Sequence, residues 1–400
     1  MKQYDSYKDS GQQWLGEIPS HWEIKRLASY FKERRNKVSD KEYAPLSVTK
    51  LGIFPQWENV AKTNDGDNRK LVKAGDFVIN SRSDRKGSSG ISDREGSVSL
   101  INTVLQLSSN IYPPFCHYLL KSYSFIEEYY RNGHGIVADL WTTGYDEMKM
   151  IKLAVPKMEE QKVISSYLDK ITAEIDKAIA QQQRMIDLLN ERKQIIIQQA
   201  VTKGLNPNVK MKNSGVEWIG QVPKHWKISK IKFFIKIKSG EALSNERLIS
   251  NGDYIVYGGG EPIGYHSEYN VNPNSIIIGR VGARCGCVTI VKDYVWATDN
   301  ALIVTTHNIN NDYLALLLIS ADLNQLAATN AQPLLTGTKV KNTYIAIPPK
   351  EEQELIVRHI DKHVKSIDVT KQRYDQQIDL LKERKQIIIN DAVIGKIKVI

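Results

Sequence analysis

The chain has 400 residues, more than one hydrophobic core usually serves, so the sequence predicts at least two domains. It contains no run of eighteen apolar residues, and the residues after Met1 form no apolar signal core, so we expect a soluble cytoplasmic protein without a membrane span. The formal net charge of +10 indicates a polyanionic partner, and the spacing of the three cysteines does not suit a usual zinc site.

The first recognisable element is a motif within residues 9–27, whose order is Ser-Gly, Trp, Gly, Pro, His-Trp. The same residue types return within residues 213–231, where eight of 19 positions are identical at an offset of 204. We call these segments the opening motifs. Tryptophans can stack on bases, but two tryptophans and a proline ahead of a domain favour a structural role, packed against a helix. His21 and His225 receive the same interpretation, because no Ser, Cys or carboxylate partner recurs at a matching spacing in both copies.

The first variable region extends to about residue 150 and alternates short apolar runs with turns. The pattern predicts strands at Ala44–Thr49, Asp76–Asn80 and Val98–Leu107, and a helical stretch at Pro113–Tyr130. A polar loop follows the second strand and is rich in donors that suit phosphates and base edges. A solvated surface loop is an equally good interpretation. Its candidate DNA-binding residues are Ser81, Arg82, Ser83, Arg85, Lys86 and Ser88.

Two long segments, Pro156–Val201 and Pro348–Val393, share 22 of 46 residues at an offset of 192 and form an internal duplication. Each has a proline at the predicted first position of a helix, two glutamates in the first turn and no interior Pro or Gly. Apolar residues recur every seven positions, which predicts a coiled-coil seam. A pair of ordinary core helices is the alternative. Imperfections at Gln182, Thr370 and Lys371 could fix the register.

The second variable region repeats the layout of the first, after a strongly basic stretch with nine lysines and one acid between Lys203 and Lys238. A buried strand is predicted at Ile276–Ile278, another strand at Val295–Thr305 and a helix at Asp312–Leu326. We place Arg280 where Arg82 falls in the first region. The candidate DNA-binding residues here are Tyr257, Arg280, Arg284, Gln332, Thr336, Thr338 and Lys339.

A search for catalytic constellations finds no persuasive one. Tyr112-Pro-Pro-Phe115 is only loosely like the loop of amino-methyltransferases, because a tyrosine replaces the polar residue that would hold the target amino group. Asp139 with Glu147-Met-Lys149 is loosely like a nuclease metal site, but it has no counterpart in the second half. Tyr257-Gly-Gly-Gly260 lacks the spacing of a phosphate loop. Duplicated domains without chemistry therefore suggest a binding protein.

The opening motifs, the Pro-x-x-Glu-Glu-Gln helix starts, the repeated Glu-Arg-Lys-Gln runs and the Ala-Val-Thr-Lys-Gly-Leu linker together resemble the specificity subunit of type I restriction–modification systems. The resemblance covers essentially the whole chain. It implies an α+β protein with a pseudo-twofold internal repeat, in which two α/β target recognition domains are separated by two long antiparallel coiled-coil helices. The predicted boundaries are a first domain at 1–153, a first helix at 154–202, a linker at 203–212, a second domain at 213–345 and a second helix at 346–400.

The resemblance also implies a function. Each domain would read one half of a bipartite, asymmetric site in double-stranded DNA, and the helices would dock two methyltransferase (modification) subunits, which restriction subunits join. S-adenosylmethionine, ATP and Mg²⁺ are expected on the partner subunits, with no cofactor, metal or catalytic residue on this chain. Two alternatives remain, a self-sufficient DNA methyltransferase or nuclease and a coiled-coil scaffold without a DNA role.

Overall fold

The computed structural model describes residues 2–56, 66–136, 141–327 and 333–399. Its chain divides into two compact units, one formed by Met1–Gln182 with Gln376–Ile400 and the other by Gln183–Asp375. Each unit holds one domain of mixed α/β structure and a part of each of two long helices. The mixed fold class with two domains and two long helices is confirmed.

The first domain is built from short strands and three short helices. Among the described residues its strands are β1 (Tyr7–Asp9), β2 (Glu17–Pro19), β3 (Glu23–Arg26), β4 (Phe31–Glu33), β5 (Lys37–Val38), β6 (Leu46–Thr49), β7 (Gly52–Pro55), β8 (Arg69–Val72), β9 (Phe77–Asn80), β10 (Ser89–Ile91), β11 (Gly96–Val98), β12 (Asn102–Leu107) and β13 (Lys152–Val155). Its helices are α1 (Pro113–Lys121), α2 (Tyr123–Arg131) and α3 (Tyr145–Met148).

A four-stranded sheet in the order β10-β9-β12-β4 forms the centre of this domain, and all four residues of β9 are buried. The predicted strand Val98–Leu107 is wrong as one element, because a turn in which the Asn102 N–H bonds to the Ser99 carbonyl separates β11 from β12. The predicted helix Pro113–Tyr130 is two helices. Ser122 has extended backbone angles there, and its side chain accepts a hydrogen bond from the Phe125 N–H, as an N-cap does.

The second domain repeats this layout. Its strands among the described residues are β14 (Met211–Asn213), β15 (Gln221–Pro223), β16 (Lys227–Lys230), β17 (Ile235–Ser239), β18 (Tyr254–Gly258), β19 (Glu261–His266), β20 (Ser275–Gly279), β21 (Val288–Val291), β22 (Val295–Ala297), β23 (Ala301–Thr306) and β24 (Tyr344–Ile347). In chain order the helices from residue 158 onward are α4 (Met158–Lys203), α5 (Asn311–Ser320), α6 (Gly337–Asn342) and α7 (Lys350–Val393).

The central sheet of the second domain has the order β17-β23-β20-β21, which matches β4-β12-β9-β10 of the first. The smaller sheets differ, since β18 pairs in parallel with β22 whereas β8 pairs antiparallel with β11. The predicted buried strand Ile276–Ile278 is confirmed within β20. The predicted strand Val295–Thr305 is divided into β22 and β23, and the predicted helix Asp312–Leu326 ends at Ser320, before a separate 3-10 turn at Leu323–Leu326.

The long helices begin later than the sequence suggests. Pro156 and Pro348 precede α4 and α7, so proline does not occupy the first helical position. Both prolines leave a carbonyl that accepts a hydrogen bond from a glutamine in the first helical turn, at 2.9 Å in each copy. The predicted helix ranges 154–202 and 346–400 therefore include strand residues at their starts, and α7 ends at Val393.

Within the second unit the two helices pair antiparallel. Lys371 donates to Asn190 at 2.7 Å, and Lys193 lies 3.0 Å from Asp368, so the partner numbers fall as the first numbers rise. In the first unit Lys385 lies 2.7 Å from Asp176. The predicted seam is covered in both units, because none of its ten residues is exposed; they are Leu168, Ile175, Gln182, Leu189 and Ile196 of α4 and Ile360, Ile367, Tyr374, Leu381 and Ile388 of α7. The side-chain oxygen of Gln182 is buried in this seam and has no partner among the described residues.

No described helix has the length and apolar character needed to cross a membrane. The cysteines are unbonded to one another; Cys116 and Cys285 are buried and Cys287 is partly buried. Within the same described ranges, no three histidine, cysteine or acidic side chains cluster in a way that could hold a metal ion.

Candidate nucleic-acid interface

The opening motif of the first domain is bonded to the start of α4 through one carboxylate. His21 Nε2 lies 2.8 Å from Glu160, and the Trp22 indole N–H donates to the same glutamate at 3.1 Å. Trp22 is fully buried. The tryptophan therefore needs a polar partner for its N–H, and the glutamate provides it.

The opening motif of the second domain makes the same bonds to α7. His225 Nε2 lies 2.6 Å from Glu352, and the Trp226 indole N–H donates to Glu352 at 2.9 Å. The predicted packing of the motif against the helix is confirmed. Each histidine does have a carboxylate partner, at equivalent positions Glu160 and Glu352. The spacing in the chain differs between the halves, at 139 and 127 residues, so a search at one matching spacing does not find the pair.

The glutamine that follows each glutamate holds the neighbouring domain loop. Gln161 accepts from the Tyr112 N–H at 2.7 Å, and Gln353 accepts from the Asn310 N–H at 2.8 Å. Both glutamines are almost fully buried. The repeated Glu-Gln pair thus bonds each domain to the start of its own long helix. These bonds fix the position of the domain from which the surface loops extend.

The predicted DNA-binding loop of the first domain folds as a 3-10 turn at Ser83–Arg85, directly after β9. Arg82 forms an isolated bridge with Thr142, which joins the turn to a second loop of the domain. The side chains of Arg82 and Arg85 are exposed. Arg85 contacts only the neighbouring carboxylate of Asp84 among the described ion pairs, at 3.5 Å.

The remaining predicted residues of this loop have internal contacts. Ser81 is buried and donates to the Ile101 carbonyl at 2.6 Å, and Ser88 is buried as well. The Ser83 N–H donates to the Trp141 carbonyl at 3.1 Å. Lys86 forms an ion pair with Glu127 at 2.7 Å. These four residues shape the turn, which leaves the two exposed arginines as its strongest candidates for contact with an anion.

Tyr130 supports the same turn from below. Its hydroxyl donates to the Asn80 carbonyl at 3.0 Å, where β9 ends, and the Lys86 ammonium lies over its ring. Burial raises the pKa of Tyr130 above the usual range, so the phenol stays a hydrogen-bond donor.

The second domain has the same turn at Gly282–Arg284, directly after β20. Its bridge joins Val281 to Leu334, as the first joins Arg82 to Thr142. The placement of Arg280 at the position of Arg82 is therefore wrong by one residue. Val281 aligns with Arg82, and Arg280 aligns with Ser81. Arg284 is the true counterpart of Arg85.

Arg284 is exposed and forms an ion pair with Glu261 at 2.6 Å. Arg280 is only partly accessible; its guanidinium donates to Ser239 at 3.4 Å, and its Nε is buried without a partner among the described residues. Tyr257 is partly buried within β18, where its carbonyl accepts from the Thr298 N–H at 3.0 Å.

The last predicted loop contributes helix ends and exposed side chains. Thr336 is the N-cap of α6 and accepts from the Lys339 N–H at 3.3 Å. The Lys339 ammonium donates to the Leu326 carbonyl at 2.7 Å, and Thr338 is exposed. Gln332 lies outside the described residues.

An edge strand of each central sheet carries basic residues that are not among the DNA-binding residues predicted from the sequence. In β17 the exposed Lys236 and Lys238 alternate with Ile235 and Ile237, and the strand ends at Ser239, which contacts Arg280. At the equivalent place in β4, Lys32 is exposed. The alternation of Ile and Lys was the available signal, since side chains on a strand point to opposite faces in turn.

The weaker catalytic motifs have structural roles. Tyr112 precedes the two prolines that open α1, and its N–H is the donor to Gln161. Glu147 accepts from the Gly144 N–H at 3.0 Å at the start of α3, and Lys149 pairs with Asp146. Asp139 lies outside the described residues.

These features define a duplicated protein in which a constant framework holds one variable surface turn in each half. Residues 223–378 match a family model described as the type I restriction modification DNA specificity domain. The chain is 32% identical over 133 residues to the specificity subunit of type I restriction enzyme EcoprrI of Escherichia coli, which covers 32% of this chain and 33% of that protein.

Two proteins of Methanocaldococcus jannaschii align over longer stretches. The MjaVIII specificity subunit is 24% identical over 278 residues, 62% of this chain and 63% of that protein. The putative MjaX specificity subunit is 21% identical over 429 residues, 96% of each. The chain thus spans about a third of the first relative, under two thirds of the second and nearly all of the third.

Solved structures share the fold. A chain from the structure described as "Structural basis underlying complex assembly and conformational transition of the type I R-M system" has a TM-score of 0.70 at 13% identity, covering 95% of this chain and 99% of that one. The HsdS subunit from Thermoanaerobacter tengcongensis has a TM-score of 0.50 at 15% identity, covering 95% and 98%. By its domain match and its relatives the chain is similar to specificity subunits of type I restriction enzymes, and it shares their fold.

Proposed function

We propose that this chain reads a bipartite, asymmetric site in double-stranded DNA for a type I restriction–modification complex, with one half-site for each domain. The observation that carries the proposal is the pair of equivalent 3-10 turns, each with an exposed arginine at its third residue, Arg85 and Arg284. The same framework presents both turns, so each is held in a defined position on its own domain.

The arginines are suited to exchange their present partners for DNA. The ion pairs Arg85–Asp84 and Arg284–Glu261 are about half exposed on both sides, and ion pairs of that kind contribute little to stability. A guanidinium can bond two acceptors of a guanine edge or two oxygens of a phosphate. The net charge of +10 adds a general attraction to the DNA backbone.

The asymmetry of the site follows from the side chains beside each arginine. In the first domain the turn presents Arg82, Ser83 and Asp84, which are polar or charged. In the second the same positions hold Val281, Gly282 and Ala283, which bring no hydrogen-bonding side chain. Two turns with such different chemistry favour two different sets of bases, so the two half-site words should differ.

Docking of two methyltransferase subunits is supported by apolar residues that stay exposed at equivalent helix positions. Leu188 and Leu380 are 40% and 63% exposed, and Ile195 and Ile387 are 51% and 49% exposed. One member of each pair lies in each unit. Large apolar side chains that are exposed twice in the same pattern suit two copies of one partner, and restriction subunits would join that assembly.

The methyl-transfer and cleavage chemistry is proposed to reside on the partners, which would bind S-adenosylmethionine, ATP and Mg²⁺. The support is the similarity of the chain to type I specificity subunits, together with the structural use of Glu147 and Tyr112 described above. The purified chain incubated with S-adenosylmethionine and DNA should transfer no methyl group, whereas the complex should. Methylation by the chain alone would favour the self-sufficient methyltransferase instead.

The DNA-reading role is tested by mapping methylated sites in cells that express the chain with its modification subunit. We expect Arg85→Ala to relax or weaken recognition in one half-site only, and Arg284→Ala to do so in the other. A lost contact to a guanine should lower discrimination at one position by about 1–3 kcal/mol, whereas a lost phosphate contact weakens all sites alike and reduces the salt dependence of binding.

The matched controls are Arg94→Ala and Lys292→Ala. Arg94 is a turn arginine paired with the adjacent Asp93, as Arg85 is paired with Asp84, but it lies at the other end of β10. Lys292 lies in the corresponding turn of the second domain. Controls and test variants that behave alike would remove the arginine turns from the interface, and a complex without salt-dependent DNA binding would favour the scaffold.

A further inference from the structure

A cavity of about 280 Å³ opens beside the second opening motif, wholly within the second unit. Its lining is mostly apolar and includes Pro223 and, from α7, Leu355 and Ile356. Its polar lining residues are Lys203, Asn206, His225 and Glu352. We call this cavity the phenol socket, because a tyrosine side chain lies at the equivalent place in the first unit.

In the first unit a tyrosine occupies the equivalent place. The Tyr4 hydroxyl donates to Glu160 at 2.8 Å, while the ring lies 5.7 Å from that of His21 and 6.1 Å from that of Trp22. Tyr4 is 8% exposed. Burial raises the pKa of Tyr4 beyond the usual range, so the hydroxyl remains protonated and donates to the carboxylate.

The first unit has the same or a similar residue at five of the socket positions, Pro223, His225, Glu352, Leu355 and Ile356. Their counterparts are Pro19, His21, Glu160, Val163 and Ile164, since each differs by one of the two repeat offsets. The chain that leaves each long helix also has the same form. Gly395 and Gly204 both have a positive φ, at 79° and 72°, and each approaches the tryptophan of its opening motif.

The second unit has no tyrosine at the corresponding point. The residue 204 positions after Tyr4 is Asn208, which is exposed and whose N–H bonds within the linker to the Asn206 side chain at 3.0 Å. The consequence is visible at the carboxylates. The Glu160 side chain is 11% exposed, whereas the Glu352 side chain is 36% exposed, although both accept from a histidine and a tryptophan.

The segment that carries Tyr4 also shows how a peptide fits. The Lys398 N–H donates to the Lys2 carbonyl at 2.9 Å, so backbone pairing fixes the segment while the phenol enters the site. A carboxylate at the end of an apolar cavity favours a neutral donor and disfavours an anion. A tyrosine fits that chemistry, and a phosphotyrosine does not.

We propose that the phenol socket is a docking site for an extended segment of a partner protein that inserts a tyrosine between His225 and Leu355 and donates its hydroxyl to Glu352. The first unit fills its own socket with Tyr4 and therefore has no such vacancy. The two halves of the chain then differ in one interaction: only the second accepts a tyrosine in trans.

The test uses the full chain alone and needs no partner subunit, so its result does not depend on the DNA-reading role. The probe is the capped peptide Lys-Gln-Tyr-Asp-Ser, the sequence of residues 2–6, with saturation-transfer NMR and titration calorimetry as readouts. We expect saturable binding. The peptide with phenylalanine in place of tyrosine should bind about tenfold more weakly, since a hydrogen bond to a charged acceptor is lost. The phosphotyrosine peptide should not bind.

Leu355→Arg should abolish binding by blocking the mouth of the socket. The matched control is Val163→Arg, the equivalent position in the first unit, which should leave binding unchanged. Both residues are at the surface, at 50% and 40% exposure, so the fold should tolerate either change. Equal binding of the tyrosine and phenylalanine peptides, equal loss in both variants, or no binding at millimolar peptide would each overturn the proposal.

Discussion

The two domains place their opening motifs, central sheets and helix starts alike, but they carry different side chains on the turn that follows the central strand. His21–Glu160 and His225–Glu352 distances differ by only 0.2 Å, as do the two tryptophan bonds. The turns share one of four residues, the final arginine. A buried donor needs its acceptor in place, so the framework tolerates little change.

What the two turns have in common is their backbone conformation and backbone hydrogen bonds. Gly87 and Gly286 follow the two turns with φ values of 79° and 83°, a conformation that favours glycine. In both turns the N–H of the residue after the glycine donates to the carbonyl of the final arginine, from Ser88 to Arg85 at 2.9 Å and from Cys287 to Arg284 at 3.1 Å. Side chains on such a turn can vary without loss of the fold, which suits a surface that must read different sequences.

The largest expected effect tests the likeness of the two frameworks. Trp22→Ala and Trp226→Ala should each lower the free energy of unfolding of their own unit by about 3–5 kcal/mol, because a large buried side chain leaves a cavity and a glutamate loses a donor. Hydrogen exchange with mass spectrometry reports each unit separately. Phe233→Ala is the control, since that ring is 61% exposed and its loss should change little.

A smaller effect sharpens the difference between the halves. Glu160→Ala removes the acceptor of three donors, including the buried Tyr4 hydroxyl, and should cost about 2–3 kcal/mol in the first unit. Glu352→Ala removes a more exposed acceptor of two donors, so about 1 kcal/mol is expected in the second. Equal costs, measured by the same exchange experiment, would contradict the role of Tyr4 in covering Glu160.

Much of this organisation could be predicted from the sequence because it is periodic. The two long helices follow from a seven-residue apolar repeat, and the packing of each opening motif follows from its position ahead of a repeated domain. The central buried strand at Ile276–Ile278 follows from a continuous apolar run. Each of these sequence signals depends on many residues together, so one residue that departs from the pattern does not change the predicted element.

The element boundaries, the alignment of the two turns and the histidine–glutamate pairing could not be predicted, because they depend on single residues or on contacts between residues far apart in the chain. The turn that separates β11 from β12 rests on one backbone hydrogen bond, and the break between α1 and α2 on one serine cap. The match of Arg284 to Arg85 needed the pairing of β20 with β23, which fixes the strand end. Glu160 lies 139 residues from His21 in the chain, so only the tertiary structure shows that the two side chains are bonded.

A third expected effect is a difference between the units in how their free energy of unfolding depends on pH, and it comes from His117 in α1. Burial, aided by Lys121, lowers the pKa of His117 to about 4 from an ordinary value of 6.5. The equivalent residue in α5 is Ala315, which cannot titrate. As the pH falls from about 6.5 to about 4, the unfolded first unit takes up a proton that the folded unit does not, so its free energy of unfolding must fall over that window.

The loss should reach roughly 1–2 kcal/mol near pH 4.5, after a discount for the partial exposure of His117. His117→Gln should remove this part of the pH dependence from the first unit, because glutamine keeps a polar side chain of similar length and binds no proton. Exchange measured at pH 7 and pH 4.5 compares the two proteins directly. Carboxylates elsewhere titrate in both, so the difference between parent and variant isolates the imidazole. An identical pH response in the two proteins would show that His117 is protonated as easily in the folded unit as in the unfolded chain.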